Sequence, residues 1–235
     1  MIRVNDLTFA YDNDPERIAL EGITFSLEPE TITAIIGLSG CGKSTLCQIL
    51  CGIIPQCIGG NLSGQILIDD MDVRQAPLKN LCQKIGYVMQ DPDRQIIAAT
   101  VEDELAFGPE NLALPPEEIR GRVDRSLELL GIEELALKNP AKLSGGQKQL
   151  TAVGAVLTLE PDILILDEPM SHVDERGRER MLDAIKKLRD AGKTLILVEH
   201  EYETLDFADQ WLVLEEGRVK AFAPPAELMA KGALL

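Results

Sequence analysis

Apolar residues in this chain fall into two kinds of pattern. Short, nearly continuous apolar runs occur at residues 32–36, 85–89, 163–166, 194–198 and 211–214. A strand with one wet face alternates apolar and polar side chains, whereas a strand covered on both faces does not. These runs predict strands of a mostly parallel sheet buried on both sides. Helical periodicity fills some of the gaps between them. In RERMLDAIKKLRDAG, residues 178–192, Met181, Leu182, Ile185 and Leu188 share one face and Gly192 marks the stop. Two regions break this rhythm. IRVNDLTF near the start and SGQILIDD at 63–70 predict an antiparallel β layer. Residues 91–158 carry little strand signal. Within them EEIRGRVDRSLELLG puts Ile119, Val123, Leu127 and Leu130 on one face, after Pro115-Pro116 and before Gly131, which predicts a helical insertion. The tail APPAELMAKGALL predicts a short helix at most, and there is no internal repeat or low-complexity tract. The expected fold class is α/β: a core of residues 1–90 and 159–235 with the N-terminal β layer, and a helical subdomain of residues 91–158.

Composition narrows the function. The 235 residues are 45% hydrophobic and carry a formal net charge of −16. Such acidity argues against nonspecific nucleic-acid binding, which needs cationic surface to release counterions. It argues equally against docking on anionic lipid by bulk charge. No apolar run reaches the roughly 18 residues of a membrane-spanning helix. The N-terminal MIRVNDLTFAYDND carries acids where a secretion signal would be apolar. A cytoplasmic location is therefore expected. The five cysteines, Cys41, Cys47, Cys51, Cys57 and Cys82, show no framework spacing and fit reduced thiols. Cys47 and Cys51 stand four apart on a predicted helix, which leaves open a metal site with Cys57 or plain core packing.

The chemistry begins at GLSGCGKST, Gly37 to Thr45. Gly37, Gly42, Lys43 and Ser44 satisfy the GxxxxGK(S/T) spacing, with a predicted strand before and a predicted helix after. Glycines let backbone wrap a phosphate chain, and successive N–H groups and the helix N-terminus point at its oxygens. Lys43 adds a charge for the β and γ phosphates, and the Ser44 hydroxyl suits Mg²⁺. Farther on, ILILDEP predicts a buried strand ending in Asp167 and Glu168. At a strand's C-terminal end these carboxylates belong beside the ligand crevice of an open α/β sheet. Asp167 would hold Mg²⁺ and Glu168 would polarise an attacking water, so a P-loop nucleoside triphosphatase is expected.

LSGGQ, Leu143 to Gln147, lies between these two elements and resembles the signature of ATP-binding-cassette (ABC) ATPases. The order of the other parts agrees over essentially the whole chain. Tyr11 resembles the aromatic residue that stacks on adenine, though FAY also reads as core strand. Gln90 ends the predicted strand IGYVMQ and resembles the Q-loop glutamine, SHVD at residues 171–174 takes the place of the D-loop, and His200 resembles the switch histidine. The resemblance implies that ATP is bound by Tyr11 and by Gly37, Leu38, Ser39, Gly40, Cys41, Gly42, Lys43, Ser44 and Thr45. It implies Mg²⁺ held by Ser44, Gln90 and Asp167, and catalysis by Glu168 with His200, Gln90 and Lys43. It also implies a head-to-tail dimer in which Ser144, Gly145, Gly146 and Gln147 of one chain complete the other chain's site. By itself, Ser144 before two glycines opens a predicted helix, an anion-ready N-terminus. His172 stands where the family usually carries a small residue, and its role at the dimer seam is open.

A narrower resemblance follows Gln90. QDPDRQIIAATVEDELAFGPENLALP, residues 90–115, is similar to the ATPases of energy-coupling-factor importers. That implies a homodimer or heterodimer on the inner face of the membrane, working with an integral membrane transporter subunit and a substrate-binding membrane subunit that imports a metal ion or vitamin. Ile96, Ile97 and Phe107 then read as a groove for a partner helix, or alternatively as core of the helical insertion. The chain stops at Leu235, without the extra C-terminal segment of many such ATPases, and IIPQCIGGNLSGQILID also resembles the first cassette of fused two-cassette forms. An ordinary importer ATPase and a soluble ABC ATPase are the rival readings.

Overall fold

The computed structural model of the chain describes residues 1–171, 173–200 and 205–230. In chain order the strands are β1 Ile2–Tyr11, β2 Ile18–Leu27, β3 Ile32–Ile36, β4 Gly60–Ile68, β5 Met71–Asp72, β6 Ile85–Val88, β7 Ile163–Asp167, β8 Thr194–Glu199, β9 Gln210–Glu215 and β10 Arg218–Ala223. The helices are α1 Lys43–Leu50, the single turns α2 Ile53–Gln56 and α3 Leu78–Leu81, then α4 Val101–Asn111, α5 Pro116–Leu130, α6 Gly145–Leu157, α7 Glu175–Asp190 and α8 Pro225–Ala230.

The continuous apolar runs do form the buried parallel strands. One sheet has the order β10-β9-β3-β8-β7-β6, parallel from β9 to β6, with β10 returning antiparallel at the edge. Every residue of β3, β7 and β8 is buried. The alternation of the pleat sends successive side chains into two different cores. Ala34, Leu166, Leu195 and Leu197 pack with helices α4–α8 on one face, while Ile35, Ile165, Ile196 and Val198 pack with α1 and the second sheet on the other. That second sheet is antiparallel, in the order β2-β1-β4-β5. It is the expected β layer, with Val4, Phe9, Ile23, Phe25, Ile66 and Ile68 facing the shared core.

β2 and β10 lie outside the apolar runs. β2 buries only Leu20, Ile23, Phe25 and Leu27, because its other face is wet and its register shifts at Gly22, so no continuous run marks it. The strand expected at 85–89 ends at Val88.

Residues 91–158 are helical as expected. Thr100 caps α4 by accepting from the Asp103 N–H, and Ser144 caps α6. On α5 the expected stripe buries Val123, Leu127 and Leu130, leaves Ile119 half-buried, and stops at Gly131 with φ 65°. α7 buries Met181, Ile185 and Leu188 below its Asp174 cap. Cys47 and Cys51 are core residues of α1 and the turn after it, whereas Cys57 is exposed, so burial separates the proposed thiol cluster and core packing is the outcome for the first two. No described helix is long and apolar enough to cross a membrane.

Candidate functional site

The parallel strands all present their C-terminal ends at one rim, and the predicted polar residues collect there. β3 leads into the glycine loop, β7 into Asp167-Glu168, β8 into His200, and β6 through Met89 to Gln90. A cleft of about 840 Å³ opens at this rim. Its walls include Tyr11, Ser39, Gly40, Gly42, Lys43, Ser44, Thr45, Gln90, Glu168 and His200. Of the expected loop residues, Gly37, Leu38 and Cys41 do not line it; Cys41 is buried and the Leu38 side chain is exposed.

Two glycines of the loop are sterically obligatory. A Cβ on Gly37, at φ 155°, would lie 2.3 Å from the Leu214 carbonyl oxygen. On Gly42, at φ 107°, it would lie 2.6 Å from Leu20 Cδ2. Gly42 caps α1 without any side chain over the helix end, and no acid stands in the first turn. The first N–H groups of α1 are therefore open to an anion. Lys43 is almost fully buried and its Nζ donates to the carbonyls of Gly37 at 2.7 Å and Leu38 at 3.1 Å. The ammonium is thereby fixed over the loop rather than left on a mobile stem.

Glu168 is the hub of the opposite wall. It is 8% exposed and holds a left-handed φ of 49°. Its Oε2 accepts from Gln90 Nε2, and its Oε1 contacts His200 Nε2. His200 Nδ1 lies 3.5 Å from Lys43 Nζ. The imidazole tautomer with its proton on Nε2 satisfies both neighbours, donating to Glu168 and accepting from Lys43. Gln90, Glu168, His200 and Lys43 therefore form one continuous polar chain across the cleft.

Asp167 is 3% exposed and is held from one side only. Tyr87 Oη donates to its Oδ2 at 2.7 Å, while its Oδ1 is buried with no hydrogen-bond partner among the described residues. An orphaned buried carboxylate oxygen is costly unless something else satisfies it. Ser44 and Gln90 line the cleft, whereas Asp167 does not itself line it; a carboxylate, a hydroxyl and an amide are hard oxygen donors of the kind that fits Mg²⁺. No group of three or more His, Cys, Asp or Glu gathers among the described residues, so a cation at Asp167 would rest on one carboxylate, neutral oxygens and substrate phosphates, as Mg²⁺ commonly does. Burial, and then the negative charge of Asp167, push the Tyr87 phenol well above its ordinary value, so it stays a donor.

Tyr11 ends β1 beside the cleft. Its hydroxyl shares a hydrogen bond of 2.8 Å with Thr45 Oγ1, and its ring meets Phe9 edge-on at 4.8 Å. None of the sequence motifs marks the other wall residues: Asn13, Asp14, Arg17, Ile18, Ala19, Glu216 and Gly217. Asp12-Asn13-Asp14-Pro15 is a turn signal directly after Tyr11, which could have marked the first of them. Gly217 sits in the β9–β10 hairpin and donates to the Cys41 carbonyl at 3.1 Å. Nothing local in the sequence announces that contact.

LSGGQ is not part of this cleft. Ser144 and Gly145 are exposed elsewhere, at the start of α6. Ser144 Oγ accepts from the Gln147 N–H at 3.4 Å, and Gln147 Oε1 accepts from the Ser144 N–H at 3.1 Å. This capping box leaves the Ser144 hydroxyl proton free to donate. Gly146 packs against the start of α7, where a Cβ would lie 2.8 Å from Gly177 Cα. Of the candidate groove residues, Ile97 and Phe107 are 68% and 47% exposed, while Ile96 packs against the helical core. The core reading thus holds for Ile96 alone. His172 lies outside the described residues.

A parallel sheet with a glycine loop and two acids at its C-terminal rim is the frame of a P-loop nucleotide hydrolase, and the comparisons narrow it. The profile of the ABC transporter family matches residues 20–171. The energy-coupling factor transporter ATP-binding protein EcfA1 of Streptococcus agalactiae is 36% identical over 99% of this chain and 82% of its own length. A putative ABC transporter ATP-binding protein of Methanosarcina mazei is 39% identical over 98% of this chain but only 39% of itself. The chain spans about two fifths of the length of the first curated relatives it matches. Among solved structures, CbiO1 of Clostridium perfringens, described as part of the ABC transporter complex CbiONQ, aligns with TM-score 0.87 at 36% identity, covering 99% of this chain and 91% of that one. A dimeric ATP-binding cassette bound to ADP and phosphate aligns with TM-score 0.81 at 26% identity, covering 95% and 98%. The chain belongs to the ABC transporter ATP-binding family.

Proposed function

We propose that this chain is the ATP-hydrolysing subunit of an energy-coupling-factor type importer for a metal ion or a vitamin. The observation that carries the catalytic part is the convergence of Gln90 and His200 on Glu168, across the cleft from the open N-terminus of α1. In this reading Tyr11 stacks on adenine, the backbone from Gly37 to Thr45 wraps the phosphates, and Lys43 neutralises the β and γ oxygens. Ser44, Gln90 and Asp167 would hold Mg²⁺, which would supply charge neutralisation at the phosphates. Glu168 takes a proton from the attacking water, held in position by its bonds to Gln90 and His200. His200 helps position that water through its Nε2 contact with Glu168, while its Nδ1 accepts from Lys43.

The site is completed from outside. Ser144, Gly145, Gly146 and Gln147 lie away from the cleft, which fits a head-to-tail dimer in which they close over the partner's γ phosphate. The division into a nucleotide core, 1–90 and 159–235, and a helical subdomain, 91–158, then separates the two halves of each composite site. The exposed Ile97 and Phe107, within the run similar to energy-coupling-factor ATPases, take the helix of an integral membrane subunit on the inner face of the membrane. A small membrane subunit selects the cargo. The second cassette comes from another chain or from the same polypeptide.

Tagged protein purified from its native membranes, with its companions identified by mass spectrometry, tests this reading. A multi-spanning membrane protein together with a small membrane protein is the expected result. Two larger permeases with an external binding protein would replace it with an ordinary importer, and soluble partners alone would overturn the transport assignment.

A further inference from the structure

We propose that Tyr87 is a positioning residue for the divalent cation, fixing the Asp167 carboxylate through Oδ2 so that Oδ1 is the oxygen left to the ion. This rests on the reading of Asp167 as a cation-holding residue. Tyr87 stands on β6 opposite Ile165 of β7, two residues before Asp167. Ile85 and Tyr87 face the core shared with α1, while Val88 faces the helical core. The pleat thus sends the Tyr87 ring under the phosphate-binding loop rather than toward the helical insertion. From there its hydroxyl reaches Asp167 Oδ2 at 2.7 Å, the length of a charge-assisted O–H···O⁻ bond.

The two oxygens of Asp167 are treated differently. One is satisfied by a neutral hydroxyl donor, and the other is buried without a partner. A carboxylate with both oxygens free would rotate and share its charge among several orientations. Fixing one oxygen sets the plane of the group and keeps the other available. Outer partners that orient metal ligands in this way commonly change metal affinity by about 10–100-fold when removed. Phenylalanine at this position would keep the ring packed against the α1 side and remove only the donor.

The test uses the full chain with Mn²⁺ as the probe and a nonhydrolysable ATP analogue, reading free Mn²⁺ by electron paramagnetic resonance. Nucleotide binding in excess chelator is measured beside it. Tyr87→Phe is expected to weaken Mn²⁺ binding about tenfold while leaving chelator-insensitive nucleotide binding within about twofold. In an Asp167→Asn background, Tyr87→Phe should add nothing, because the charge it orients is gone. If Asp167→Asn weakens Mn²⁺ binding and Tyr87→Phe does not, the positioning role is overturned and the Asp167 reading stands. If Tyr87→Phe weakens metal and metal-free binding equally, its role is structural and the inference fails. If Asp167→Asn leaves Mn²⁺ affinity unchanged, the Asp167 reading falls and takes the inference with it. Tyr87→Met, which also lacks the donor, replaces the Phe variant should that variant melt early.

Discussion

Replacing Glu168 with glutamine separates the proposed base from everything else in the cleft. The side chain keeps its length and volume, and one carboxylate oxygen becomes an amide nitrogen. Both oxygens are engaged, Oε2 by Gln90 Nε2 and Oε1 by His200 Nε2. An amide offers one acceptor, so one contact becomes donor against donor. His200 cannot relieve this easily, since moving its proton to Nδ1 would aim it at Lys43 Nζ, 3.5 Å away. Gln90 can: flipping its own amide presents an oxygen to the new nitrogen and restores the bond. Nucleotide binding and the shape of the wall should therefore survive. Asp167 and Glu168 are adjacent acids, 3% and 8% exposed, so removing one charge also removes a like-charge repulsion. Stability should be unchanged or higher. What disappears is proton acceptance from water, typically worth about 10²–10⁴ in rate, or about 3–5 kcal/mol in the barrier. Turnover at saturating MgATP, ATP affinity at equilibrium and the melting temperature are measured on one preparation. Turnover within about fivefold of the unaltered protein would refute Glu168 as the base. A loss of ATP affinity that matches the loss of turnover would refute the argument that Gln90 repairs the wall.

Three further outcomes follow from the geometry. Gly37→Ala places a methyl 2.3 Å from the Leu214 carbonyl and 2.7 Å from Cys41 Sγ; a loss of about 2–4 kcal/mol is expected from overpacking and a strained φ, and an unchanged denaturation midpoint would contradict it. Burial raises the Cys47, Cys51 and Tyr87 pKa values in the folded chain, so the unfolded chain loses these protons first as pH rises; stability is fully present below the ordinary thiol value of 9.0 and should fall by about 1.4 kcal/mol per pH unit for each group, above 9.0 for the two thiols and above 10.0 for the phenol. Cys47→Ala should make that alkaline slope shallower, and an equal slope would refute the linkage. Lys148 Nζ bonds Asp93 Oδ1 at 2.6 Å, tying α6 to the turn after Gln90. Because Asp93 is 66% exposed, a double-mutant cycle should return no more than about 1 kcal/mol, shrinking with salt; a larger, salt-independent coupling would show the pair to be screened from solvent.

The parts legible in the sequence were those with local causes. The runs at 32–36, 163–166 and 194–198 announced strands covered on both faces because nothing else of that length tolerates unbroken apolar character. Gly37, Gly42, Lys43 and Ser44 announced the loop because their spacing is set by the turn itself. β2 was missed because its wet face breaks the run, and Gly217 because its contact with Cys41 joins residues far apart in the chain.

By itself, then, the sequence determined the buried parallel strands, the helical insertion and the glycine, lysine and hydroxyl residues of the loop after β3, since each depends on periodicity or on spacing within a few residues. The tertiary structure alone decided which oxygen of Asp167 is bonded and which is not, that Glu168 is gripped from two sides, and that LSGGQ lies apart from the cleft. It also turned Ile97 and Phe107 outward while Ile96 packs against the core. The physical reason is the same in each case: hydrogen-bond partners and solvent exposure are set by strands and helices distant in sequence, and a chain pattern carries no record of which of them arrive at the same place.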